Sequence, residues 1–113
     1  MIKIYHNPRC RKSREGLAIV EASGQDYEIV NYLDAPPTPT ELKSILSKLD
    51  MTPLELVRKN EGIWKSEFKG QELSEESIIQ ALCKYPKLIE RPIVIKGANA
   101  VIGRPAENIK DLI

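Results

Sequence analysis

The chain has 113 residues, enough for one domain with a real core and too few for two. Seventeen basic residues against sixteen acidic leave a net charge of +1, so nothing global argues for nucleic acid or an anionic membrane. Two cysteines are too few for a disulfide framework, a lone histidine argues against a His-based metal site, and no apolar run nears the ~20 residues of a membrane span.

Ile2 to Tyr5 alternates and predicts a first strand. Arg11 to Ser23 carries Leu17, Ala18 and Val20 at helical spacing and stops at Ser23-Gly24. Tyr27 to Tyr32 predicts a second strand, and a strand–helix–strand opening implies a parallel pair joined by a crossover. Ala35-Pro36-Pro37-Thr38-Pro39 breaks the pattern. A helix follows with Leu42, Ile45, Leu46 and Leu49 on one face, capped by Thr38 or Thr40. Thr52-Pro53-Leu54-Glu55 predicts a cap, a first-turn proline and a short helix. Trp64 to Leu73 shows no clear period. Ser74-Glu75-Glu76-Ser77 opens a helix with Ile78, Ile79 and Leu82 inward, ending near Tyr85-Pro86. Ile93-Val94-Ile95 is a buried-type strand that turns through Lys96-Gly97-Ala98-Asn99 into Ala100-Val101-Ile102, an antiparallel hairpin. Arg104-Pro105-Ala106-Glu107 is expected to begin a closing helix with Ile109, Leu112 and Ile113 apolar. The order predicts an α/β fold with a mixed four-stranded sheet flanked by helices.

Cys10 is the candidate nucleophile. It sits just past the first strand, at the start of a helix, with Arg9, Arg11, Lys12 and Arg14 beside it in sequence. A helix N-terminus and nearby cations both favour a thiolate, the reactive form. The motif is C-x-x-S: Ser13 stands where a dithiol enzyme carries its second sulfur, so Cys10 forms either a substrate adduct or a mixed disulfide with an external thiol. Cys83, beside Leu82, is expected to pack in the core. His6 either supports the thiolate or satisfies a loop backbone group. Ser13 either donates to the sulfur or helps the helix start. Arg58, Arg91 and Arg104 are far apart in sequence, and their convergence at Cys10 would make a site for a tetrahedral oxyanion, since a guanidinium fork matches two oxygens.

His6-Asn7-Pro8-Arg9-Cys10, Leu56-Val57-Arg58-Lys59-Asn60, Arg91-Pro92-Ile93-Val94 and Gly103-Arg104-Pro105 together resemble the glutaredoxin-coupled arsenate reductases of the thioredoxin-like superfamily. Tyr32-Leu33 ahead of Pro36-Pro37 is similar too, and the resemblance covers nearly the whole chain. It implies a single thioredoxin-like domain over 1–113, with a helical insertion at about 36–88 between the second and third strands, and a cis proline at Arg91-Pro92. It also implies that Cys10 attacks arsenate, that Arg58, Arg91 and Arg104 hold the oxyanion, and that His6 helps lower the thiol pKa. Glutathione as co-substrate and glutaredoxin as partner would supply the electrons, with no bound cofactor and no metal. A monomer in the cytoplasm is expected, since no signal-peptide pattern opens the chain. Arg11-Lys12 stands where the best-known arsenate reductases carry Gly-Thr, and is similar instead to Spx-type regulators, which share the fold and bind RNA polymerase. An RNA-polymerase-binding regulator and an orphan thiol oxidoreductase acting on another substrate are therefore the alternative functions.

Overall fold

In the computed structural model, which describes residues 1–113, Ile2–Tyr5 forms β1 and Tyr27–Val30 forms β2. They run parallel, Ile2 opposite Tyr27 and Tyr5 opposite Val30, with the helix α1 (Arg11–Ala22) as the crossover. Ile93–Lys96 (β3) pairs antiparallel with β1, and Asn99–Ile102 (β4) closes the hairpin on β3. Gly97, at φ +63°, supplies the left-handed residue that this tight turn requires. The sheet order is β2-β1-β3-β4, the mixed four-stranded sheet expected from the pattern of elements.

Contact within the chain divides it into two compact units, 1–35 with 91–113, and 36–90. The first holds the sheet, α1 and the closing helix α5 (Asn108–Leu112 in chain order). Its core is Ile2 and Ile4 of β1, Val20 of α1, Val94 of β3 and Ile109 of α5. Leu17, Ile19, Val101, Leu112 and Ile113 pack around that cluster. Period-2 alternation in β1 and helical spacing in α1 and α5 aim these side chains at one another.

The second unit is the helical insertion. Its helix α2 (Pro39–Leu49) buries Leu42, Ile45 and Leu46, and α4 (Glu75–Lys84) buries Ile78, Ile79 and Leu82. Between them lies α3 (Gly62–Glu67). Thr38 rather than Thr40 caps α2: its hydroxyl accepts from Glu41 N–H, and the Glu41 carboxylate accepts from Thr38 N–H. Ser74 caps α4 in the expected place. An antiparallel bridge joins Val57 to Ile89, with Arg58 N–H on Leu88 O at 2.7 Å and Glu90 N–H on Leu56 O at 3.0 Å. No helix is long and apolar enough to cross a membrane.

Three boundaries differ from the sequence reading. Trp64 to Leu73 overlaps the end of α3, a helix too short for a period, whose Trp64 stacks on Phe68 at 5.4 Å between ring centroids. β2 ends at Val30, because Tyr32 N–H turns back onto Val30 O. The closing helix starts at Asn108, not Arg104, because residues 104–107 form a turn held by Asn108 Nδ2 on the carbonyls of Ile102 and Arg104.

Candidate active site

The segment between β1 and α1 is fixed at every step. His6 N–H continues the sheet onto Val30 O, and Cys10 N–H donates to Asn7 O at 3.0 Å. The Asn7 side-chain oxygen accepts from Arg9 N–H at 3.0 Å, and Asn7 N–H donates to the Ser13 hydroxyl at 2.9 Å. Arg14 Nη1 reaches back to Pro8 O at 2.9 Å. Asn7 therefore ties the loop together through its amide, its carbonyl and its side chain. It was absent from the candidate residues, although Asn-Pro is a turn signal that pointed to it.

Cys10 is the N-cap of α1, with extended dihedrals (φ −95°, ψ 122°) that turn its side chain toward the first helical turn. The thiol is half-buried. Burial is the largest single influence and pushes its pKa up. The Arg91 guanidinium, by hydrogen bond and by charge, and the backbone amides of Ser13 and Lys12 outweigh it, so the thiol ends below its ordinary value of 9.0. Arg104 adds a direct contact, Nη2 to Sγ at 3.4 Å, and its Nε donates to Arg91 O at 2.7 Å. One side chain thus links the sulfur to the backbone of the other arginine. Both Arg91-Pro92 and Arg104-Pro105 are cis peptides.

His6 and Ser13 form a second layer. Both are buried, and Ser13 Oγ lies 2.7 Å from His6 Nδ1. Burial pushes the His6 pKa below its ordinary 6.5, a hydrogen bond to Ser13 opposes this, and the charge on Arg14 adds to the lowering. The Ser13 hydroxyl accepts from Asn7 N–H and is hydrogen-bonded to His6 Nδ1. The hydroxyl of Ser13 is thus engaged with His6 and Asn7, while its backbone amide serves the sulfur.

Arg58 lies in the helical unit. Its Nη1 contacts Glu61 at 2.6 Å and its Nε lies 3.6 Å from Glu90, so its charge is offset by two carboxylates of that unit. Cys83 also lies there, and behaves oppositely to Cys10: burial, with Glu41 and Glu76 nearby, pushes its thiol up. No group of three or more His, Cys, Asp or Glu side chains is placed to hold a metal ion. Chemically, the arrangement is an ionisable sulfur with two guanidinium groups beside it, suited to an electrophile that carries anionic oxygens.

Residues 5–112 match the ArsC family over almost the full chain. The chain belongs to that family. An arsenate reductase of Neisseria meningitidis serogroup A is 40% identical over 99% of this chain and 97% of its own length. An uncharacterized Escherichia coli K12 protein, YfgD, is 43% identical over 99% of this chain and 96% of its own. Among solved structures, an arsenate reductase from Vibrio cholerae superposes with a TM-score of 0.94 at 37% identity, covering 99% of this chain and 97% of that one. The mixed sheet with its helical insertion is thus the thioredoxin-like fold of the ArsC family.

Proposed function

We propose that this ArsC-family chain reduces arsenate to arsenite, with Cys10 as its single nucleophile and with glutathione and glutaredoxin as the source of electrons. The observation that supports the reading most strongly is the Arg104 guanidinium 3.4 Å from the Cys10 sulfur, beside an Arg91 guanidinium that favours the thiolate. Cys10 thiolate attacks the arsenic, forming an S–As bond as one arsenate oxygen leaves as water. A glutathione thiol then completes a disulfide, and the bonding pair passes to arsenic. As(V) becomes As(III), two thiols become one disulfide, and glutaredoxin returns that disulfide to thiols. Arg91 and Arg104 offset charge on the arsenate oxygens while the S–As bond forms.

An external reductant fits the C-x-x-S motif, which gives Cys10 no neighbouring sulfur. Free Cys10 and Cys83 fit a reducing compartment, and we assign the protein to the cytoplasm, acting as a monomer. The test is NADPH oxidation with arsenate, glutathione, glutathione reductase and glutaredoxin, omitting each in turn. The reading predicts oxidation that needs both arsenate and glutaredoxin. A folded protein with a reactive Cys10 and no arsenate-dependent oxidation contradicts it, and would favour another substrate or a regulatory role.

A further inference from the structure

Pro92, which follows Arg91, lies close against two glycines, Gly16 of α1 and Gly103 just past β4. A Cβ on Gly16, in the middle of α1, would stand 2.8 Å from Pro92 Cγ and 3.0 Å from Ile109 Cδ1. A Cβ on Gly103 would stand 2.8 Å from those same two atoms. Neither position has room for a side chain, and both collide with the same pair of core atoms. Pro92 has little freedom to retreat, because its carbonyl accepts from Gly103 N–H at 2.8 Å. Gly103 is also the residue before Arg104, whose Nε bonds to Arg91 O and whose Nη2 bonds to Cys10 Sγ. Two of the four residues that meet too closely for a methyl group, Pro92 and Gly103, are therefore joined directly by peptide bonds to the two arginines that serve the sulfur. Gly16 lies six residues along the same helix that Cys10 caps.

We propose that Gly16 and Gly103 are positioning residues: by letting α1, Pro92 and Ile109 meet without an intervening side chain, they set the distance from Arg91 and Arg104 to the Cys10 sulfur. The inference rests on Cys10 as the nucleophile, and it deepens that reading by assigning the device that holds its arginines. In an ordinary helix interior, Gly→Ala is favourable. At Gly16 the added methyl must instead push Pro92 and Ile109 away from α1, taking Arg91 with them.

The test is the pH profile of Cys10 alkylation by a neutral reagent in Gly16→Ala and Gly103→Ala, in a Cys83→Ser background, with a thermal melt of each. Gly62→Ala is the control, since nothing lies within 4 Å of the Cβ it would add. The profiles of both clamp variants are expected to move to higher pH, with the rate near neutral pH falling roughly threefold or more as thiolate is lost. The control profile stays with the parent. Adding Ile109→Val removes Cδ1, one of the two colliding atoms, and is expected to bring each profile part of the way back. Should a single variant fail to fold, its Ile109→Val partner carries the comparison. A lower melting temperature with an unmoved profile overturns the proposal, as does a double variant that still fails to fold, because the glycines would then serve the core alone. Alkylation needs no arsenate, so a protein inert toward arsenate still answers this question separately from the proposed activity.

Discussion

At Cys10, burial and electrostatics pull in opposite directions, and the outcome depends on named neighbours. Removing a cation should therefore let burial prevail. Arg104→Ala deletes the contact to Sγ and the bond to Arg91 O together. Its arsenate kcat/KM is expected to fall about a hundredfold, the scale of losing one donor to a developing oxyanion. Steady-state kinetics check this, and kinetics equal to the parent would remove the arginine cradle from the mechanism. His6 gives a prediction of stability rather than rate. Its folded pKa lies below 6.5, so as pH drops through that value the unfolded chain takes up a proton that the native state resists. Native stability contributed by the neutral ring is present above 6.5 and is lost below it. Denaturant melts across about pH 7 to 5 should show this loss in the parent and a shallower one in His6→Asn; parallel slopes would contradict a buried neutral ring.

Among the elements, those with a strong period or a chemical stop were legible in the sequence. α1 announced itself through Leu17, Val20 and the Ser23-Gly24 stop, and the hairpin through Gly97 at the turn. The helix α3 was not legible: six residues complete fewer than two turns, and Trp64 alone among them is buried. Its support comes from Phe68, which stacks on Trp64 and meets Tyr85 edge-on at 6.0 Å, a contact between residues 17 apart in sequence. The start of α5 was misplaced for a related reason. Arg104 resembles the opening of a helix by its proline, yet its side chain is committed to Arg91 and Cys10, and that long-range bond leaves no local mark. Capping, by contrast, is local and predicts well. Thr38→Ala removes the hydroxyl that accepts Glu41 N–H and is expected to cost about 1 kcal/mol by thermal or chemical melt. An unchanged melt would mean that the box adds nothing to α2.

For the molecule as a whole, the site draws on elements far apart in the chain. The cysteine comes from the segment after β1, Arg91 from the approach to β3 and Arg104 from the turn after β4. The residue types that the proposed chemistry uses were evident from the sequence, because a cysteine among cations and arginines before prolines are conspicuous. The packing around them was not: Asn7 ties the loop through its amide, its carbonyl and its side chain, and Gly16 and Gly103 leave no room for a side chain beside Pro92 and Ile109. The pairing of Arg58 with Glu61 had a hint in the i, i+3 spacing, while its contact with Glu90 depends on the Val57–Ile89 bridge. The central claim is that Cys10 itself reduces arsenate with outside thiols. Its most direct test is the arsenite formed when reduced protein is mixed with arsenate, glutathione and glutaredoxin, beside a Cys10→Ser variant that retains its melt. Arsenite from the parent and none above background from the variant is the predicted result. Equal arsenite from both, or none from a parent whose Cys10 still alkylates, would contradict the account.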